Sequence, residues 1–455
     1  MGGVFMTNIS EEVKELYNED IGNKQIILEF YKNDTDLTPS YVLGNENIIS
    51  ESMELNEGLS TERDIRFGQC YSSKFSIDIF GLKDKFGDDP DFINYKLKAY
   101  IYFSSNDWLY PDGKLLPEND LYPENSLYPE SVLNYEDALY PDDNLYPYGY
   151  NQSETEIPLF VGYVDSSVLS DNRNNRKIIA YDILQKKLQT DISDLFFNDL
   201  LENRTVKYVR EKILSYLNIE YENVQLTNDN LILTRDIFKE NSNYKVLARK
   251  ALESILEFCG CFGHIDRNNV FRFIKLTALY YNYPAPANSE KVIYPSSSIY
   301  PGPNDIETIK REKINPYISV KYGEYKTGAI TGVECLNSNN IVIERYAENF
   351  NNIYYMNGNI YIEYILTTTH ISEYFAKPLF QQIYKLQYVP TTLICSGKPY
   401  LEVGDYISYT ANNDDSTQSD EIIIPLLSRT LKGIQSLKDT LEAKGNEKRQ
   451  YQFKI

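Results

Sequence analysis

The sequence predicts a mainly β protein with a helical middle, an α+β chain of several domains. Three observations carry this. Segments such as KQIILEFY, KFSIDIF and KLKAYIYF alternate apolar and polar residues, the period of a strand with one buried face. TVKYVREKILSYL (205–217) switches to the helical period and places Val206, Val209, Ile213 and Leu217 on one face. The 41 tyrosines, with many Ile, Asn and Lys, lean the composition toward strands. An AT-rich genome would impose part of that bias, so it weighs less than the periodicity.

In chain order, residues 9–18 (ISEEVKELYN) read as a short helix with Ser10 as its cap. Alternation then runs from Lys24 to Phe103, and strands resume at IPLFVGYV (157–164) and KIIAYDIL (177–184). NYKVLARKALESILEFCGCFG (243–263) is a second amphipathic helix, ended by Gly260 and Gly263. VFRFIKL (270–276) returns to strand. After the Pro-rich PAPANSEKVIYPSSSIYPGPN, alternation recurs in YISVKYG, NIVIERY, NIYIEYI, TTLICSG, DYISYT and EIIIPLLS. TLKGIQSLKDTLEAKG (430–445) fits a strand or a short helix. These shifts divide the chain into a first β-domain (1–190) and a mixed helical domain with a terminal hairpin (191–276). A linker (277–315), a second β-domain (316–428) and a C-terminal segment (429–455) follow, as expected for a chain too long for one core.

The first β-domain carries an insertion at 109–150. Leucine recurs there at 109, 115, 121, 127, 133, 139 and 145, and proline takes the third place of each hexad except at Tyr135. The fourth place is acidic six times running, at Asp112, Glu118, Glu124, Glu130, Glu136 and Asp142. Proline followed by Asp or Glu suits the centre of a type I turn, so each hexad reads as a short extended piece and a corner. A small hexapeptide solenoid and a turn-punctuated ribbon both fit, as does a linker. The ribbon is favoured because proline removes a ladder donor at every step. Calcium is not indicated, since nothing resembles an EF-hand loop, and the acids read as solvated corners.

Charge and motifs narrow the function. A formal charge of −21 argues against a surface that wraps nucleic acid. The N-terminus has no apolar core of signal-peptide length and no run approaches a membrane span, so a chain without a membrane anchor, made in a cytoplasm, is expected. Cys70, Cys259, Cys261, Cys335 and Cys395 are scattered. Cys259 and Cys261 with His264 lack a fourth ligand for zinc, and as a nucleophile and base they lack an orienting group. Buried thiols are the plainer reading. His264 and His370 are the only histidines, and no Walker loop, nucleophile elbow, dinucleotide fingerprint or obvious carboxylate pair occurs. No catalytic, cofactor-binding or metal-ligating set emerges, and a non-enzyme is expected.

Five segments in order carry a resemblance: IRFGQCYSSKFSIDI (65–79), IPLFVGYVDSSVLSDNRNNRKIIAYDILQKKLQTDISDLF (157–196), FCGCFGHIDRNNVFRFIKL (258–276), LQYVPTTLICSGKPYLEVGDYI (386–407) and LLSRTLKGIQSLKDTLEAKGNEKR (426–449). Together they resemble the baseplate hub, or tail-associated protein, of long-tailed phages and phage-derived particles of Gram-positive bacteria. The resemblance implies two tube-like β-barrel domains per chain with mixed domains inserted, and a homotrimer at the distal end of the tail tube. Six barrels would then meet a six-fold tail. The partners it implies are the distal tail protein ring, the tape-measure protein, other tip or fibre proteins, and DNA only as passing cargo. Longer members continue into a hydrolase or host-binding domain; a sequence ending at Ile455 implies a hub alone. Read as structure only, Arg176, Lys177, Tyr181 and Asp182 pair across a sheet edge, Gly404-Asp405 is a hairpin turn, and Gly263–Asn269 is a hairpin with Asp266 to Asn269 at its tip. Two rivals stand beside the hub: a tail-associated peptidoglycan hydrolase, and a glycan-binding surface module whose tyrosines supply stacking platforms.

Overall fold

The computed structural model describes residues 14, 17, 23–60, 65–87, 89–104, 156–169, 174–198, 204–233, 245–276, 311–323, 326–336, 342–357, 375–410 and 421–445. The hexad repeat, residues 277–310 of the linker, the NIYIEYI segment, His370 and most of the N-terminal helix lie outside them.

The first block supplies β1 (Asn23–Tyr31), β2 (Tyr41–Leu43), β3 (Glu54–Gly58), β4 (Lys74–Phe80), β5 (Lys96–Ser104), β6 (Ile157–Leu169) and β7 (Asn175–Tyr181). Alternation in the sequence becomes alternation of burial. On β4, Phe75, Ile77 and Ile79 are fully buried while Lys74, Ser76 and Asp78 are half-buried. A short α1 (Leu82–Phe86) follows β4.

The middle holds α2 (Ile183–Lys187), α3 (Ser193–Asn198), β8 (Arg204–Thr205), α4 (Val206–Tyr216), β9 (Ile232–Leu233), α5 (Ala248–Cys259), β10 (Phe262–Ile265) and β11 (Phe271–Ile274). Thr205 caps α4, its hydroxyl oxygen accepting from the Tyr208 N–H at 3.2 Å. The face predicted for α4 is the buried one, Val206, Val209 and Ile213. Gly260 ends α5 in the left-handed region at φ 65, where a Cβ would also meet Leu379 Cδ1 at 2.5 Å. The predicted hairpin is β10 against β11, antiparallel, with Phe262 opposite Ile274. Its tip is tied by Asp266, whose Oδ1 accepts from the Asn268 and Val270 N–H groups at 2.9 and 2.8 Å.

The last part contains β12 (Arg311–Lys313), β13 (Ser319–Tyr322), β14 (Gly332–Leu336), β15 (Val342–Ala347), β16 (Ile353–Asn357), α6 (Ala376–Ile383), β17 (Thr391–Ser396), β18 (Tyr406–Thr410), β19 (Glu421–Pro425), β20 (Ser428–Lys432) and β21 (Lys438–Ala443). The segment 430–445, open between strand and helix from sequence, is strand. β20 runs across the boundary drawn at 428/429.

Eleven strands form one antiparallel sheet in the order β13-β17-β21-β20-β3-β4-β7-β6-β5-β1-β2. Smaller sheets are β12-β18-β19, β15-β14-β16, β10-β11 and β8-β9. The protein is mainly β, as the sequence predicts, but the described strands close no barrel. The reason lies in one pairing. β20 takes the edge of β3, with Ser428 opposite Gly58 and Lys432 opposite Glu54. That edge is the one a closing strand of the first block would need, so the two blocks share an open sheet.

Candidate functional site

The β3–β20 pairing sets Arg429 directly opposite Glu57. Both are buried, Arg429 at 1% exposure. Arg429 grips Asp439 of β21 with two bonds, Nε to Oδ1 and Nη2 to Oδ2, each 2.8 Å. Nη2 also donates to the Lys398 carbonyl at 2.6 Å, and Nη1 to the Leu401 carbonyl. The far carboxylate oxygen of Glu57 lies 3.4 Å from Nη1.

A second arginine enters from the middle of the chain. Arg267, at the tip of the β10–β11 hairpin, is 3% exposed. Its Nη2 donates to the same Leu401 carbonyl at 2.5 Å and stands 3.4 Å from Glu57 Oε2. Its Nη1 lies 3.4 Å from the Pro158 carbonyl on β6. Two guanidiniums thus converge on one carbonyl and one carboxylate, and the hairpin tip becomes a wedge between the blocks. Charges so far from water persist only when paired.

The 398–405 turn completes the seam. Asp439 Oδ2 accepts from the Lys398 N–H at 2.8 Å, and Asp405 Oδ2 from the Glu402 N–H at 2.9 Å. Gly404, at φ +96, packs so closely on the hairpin that a Cβ would sit 2.7 Å from Ile274 Cγ2. Gly404-Asp405 is therefore a turn but not the expected hairpin turn: β17 before it and β18 after it lie in different sheets, and the turn is buried and docks on β11. Burial pushes the Glu402 carboxyl up to about 8; Arg267 opposes this, while Glu57, Asp405 and Asp266 add to it. Burial lowers His264, with Glu57 and Asp266 working against it and Arg267 with it. Burial also pulls Arg429 down, but the charge of Asp439 outweighs it and the net shift is upward.

Other residues noted in the sequence lie elsewhere. β7 is an interior strand, between β4 and β6, so Arg176 pairs across no edge. Its guanidinium binds Asp89 at 3.2 and 2.9 Å and the Ser167 carbonyl and hydroxyl at 3.1 and 3.0 Å. Lys177 faces Asp78 and Val168, and Tyr181 faces Lys74 and Tyr163, in the backbone register. Asp182 has left the strand: it caps α2, taking the Leu184 N–H at 2.9 Å, the Ser73 N–H at 2.6 Å and the Ser72 hydroxyl at 2.7 Å. KIIAYDIL is thus strand and then helix, because an aspartate side chain satisfies the first helical N–H groups. All five cysteines are free and buried. Burial pushes Cys261 up to about 12 and Cys259 well above the ordinary thiol range. Among the described residues no three His, Cys, Asp or Glu side chains are grouped to hold a metal.

Sequence reasoning missed the seam itself. A signal was present: Arg267, Lys398, Glu402, Asp405, Arg429 and Asp439 all fall inside segments that carry the family resemblance, and Pro158 in a fourth. Glu57 falls in none of them.

No protein-family model matches the chain. No curated protein matches it either. Among solved structures it is similar to the 43 kDa tail protein of prophage MuSo2 from Shewanella oneidensis, at 7% identity and TM-score 0.44, covering 92% of this chain and 98% of that one. It is also similar to a tail protein from Neisseria meningitidis, at 9% identity and TM-score 0.42, covering 93% and 97%. A third is an E. coli type VI secretion component described as structurally similar to T4 tail proteins. There identity is 10%, TM-score 0.37, and coverage 93% and 77%.

Proposed function

We propose that this chain is a structural, non-enzymatic component of a phage or phage-like tail: a homotrimeric hub at the distal end of the tube, through which the genome passes. The observation that carries the reading is the convergence of four of the five resembling segments on one buried junction. Most of the side chains at that junction, Glu57 apart, lie in segments that resemble the hub family, as a part meant to hold two β-blocks side by side would require. Three such chains would present six units to the six-fold tail above. Three copies, each formally −21, carry −63, a field that repels passing DNA rather than binding it. The partners in this reading are the distal tail protein ring, the tape-measure end and other tip or fibre proteins. The acidic hexads would meet one of the last.

Gold-labelled antibody on intact particles tests the placement. Label confined to the tail tip is the expected result; label on cells and never on tails overturns it. Light scattering on the purified chain tests the trimer, and a monomer at assembly concentrations would count against it. Incubation with cell walls should release no fragments.

A further inference from the structure

The acidic hexads of 109–147, nine Asp and Glu against a single Lys, have a counterpart of opposite charge on the described surface. Arg204, Tyr208, Lys212 and Tyr216 follow one another at intervals of four, forming one stripe along α4 and the residue before its cap. The stripe lies away from the buried face of Val206, Val209 and Ile213. Arg204 and Lys212 are exposed and flank the Tyr208 ring, 4.9 and 5.6 Å from its centroid. Tyr216, 47% exposed, ends the stripe. Arg176, Arg210, Arg267 and Arg429 each bind a carboxylate, whereas Arg204 and Lys212 pair with none among the described residues. Two exposed cations beside two tyrosines suit an acidic peptide: carboxylates meet the cations, and proline packs on the rings.

We propose that this stripe on α4 is the docking seat of the chain's own hexads. They supply what it takes, an acid at the fourth place of six consecutive steps, beside leucine, tyrosine and proline. The lengths agree. From Arg204 to Tyr216 the helical rise gives about 18 Å, and one hexad in polyproline-like extension spans about 19 Å. One step is seated and the others stay available to a partner, so the proposal does not rest on a place in a tail.

The reach agrees as well. The repeat leaves from β5 and returns through β6, where the Pro158 carbonyl lies 3.4 Å from Arg267 Nη1 at the hairpin tip. On the far arm of that hairpin, the Phe271 N–H donates to the Glu220 carbonyl at 2.7 Å, four residues beyond Tyr216. Phe273 of the same arm carries the Arg210 guanidinium of α4 over its ring at 4.4 Å. One hairpin arm, the four residues of β11, thus separates α4 from the point of return. The chain from Pro147 to Ile157 stretches to about 33 Å, more than twice the length of that arm.

Digestion of the full chain by a protease that cuts after glutamate tests this, because Glu124, Glu130 and Glu136 lie in the repeat. Rates are read against a synthetic peptide of residues 121–147. The wild-type repeat should be cut more slowly than the peptide. Arg204→Glu with Lys212→Glu, which turns two attractions into repulsions, should speed cutting about tenfold while the melt stays wild-type. Wild-type cutting as fast as the peptide, or equal rates in the two folded chains, would overturn the proposal. Protection that grows with protein concentration would overturn it too, by giving the seat to a second copy's repeat. Should the reversed chain fail to fold, salt decides on the wild type. About 0.5 M salt should speed cutting relative to the peptide, and an unchanged ratio rejects the seat.

Discussion

At Arg429 a full positive charge sits at 1% exposure, held by Asp439 on one side and two backbone carbonyls on the other. Removing the guanidinium leaves Asp439 and Glu57 buried without it, so Arg429→Met should cost about 3–5 kcal/mol, seen as a lower denaturation midpoint. Replacing both partners by apolar groups, Arg429→Met with Asp439→Leu, should recover much of that loss, because no bare charge remains. Recovery is the informative arm: without it the pair supplies more than mutual neutralisation. The thiols give a second prediction. All five are buried, and burial raises the ones described above, so a thiolate-seeking reagent should label none in the native chain and all five after denaturation. Rapid native labelling of Cys259 or Cys261 would revive the nucleophile reading. These charges and thiols are individually legible in the sequence, yet their burial is not, since nothing local marks Arg267 at a polar hairpin tip as an inward-facing residue.

Elements fare better than single residues. Strands β1, β4, β5, β6, β7, β17, β18 and β19 and helices α4 and α5 follow from periodicity, because burial of one face imposes period two or 3.6 on the sequence itself. Short elements were missed: β2, β3, β8, β12, α1 and α3 each hold too few residues for a period to register. α6 escaped because Pro378 stands in its first turn, a position where proline is tolerated. Two predictions belong here. Thr205→Ala removes the α4 cap and should cost about 1 kcal/mol in a thermal or chemical melt. Deleting residues 109–147 should leave the sheet intact, because β5 and β6 are antiparallel neighbours that a short connection can join. A melt close to wild type is the expected outcome. Loss of the fold would make the repeat part of the core, and infectious particles assembled from the deleted chain would remove its role as a contact.

For the molecule as a whole, the seam makes the C-terminal strands a structural necessity for the N-terminal block. A chain cut after residue 427 lacks β20 and β21 and exposes the free edges of β3 and β17. Such a chain should be insoluble or lose its cooperative melt. A stable, cooperative fold from residues 1–427 would show that the blocks stand alone. The same seam explains why two closed barrels, read from the family resemblance, are replaced by a shared open sheet among the described residues.

The sequence by itself determined that the chain is mainly β with a helical middle, where its long strands and helices run, and that its hairpin turns at Asp266 to Asn269. Those follow from short-range periodicity and turn chemistry. Only the tertiary structure decided that β3 pairs with β20, that Glu57 meets Arg429 across 372 positions, and that Arg267 points inward. Strand edges are chemically alike along the backbone. Which edge meets which is settled by the collective fit of side chains far apart in the chain, and no local pattern encodes it.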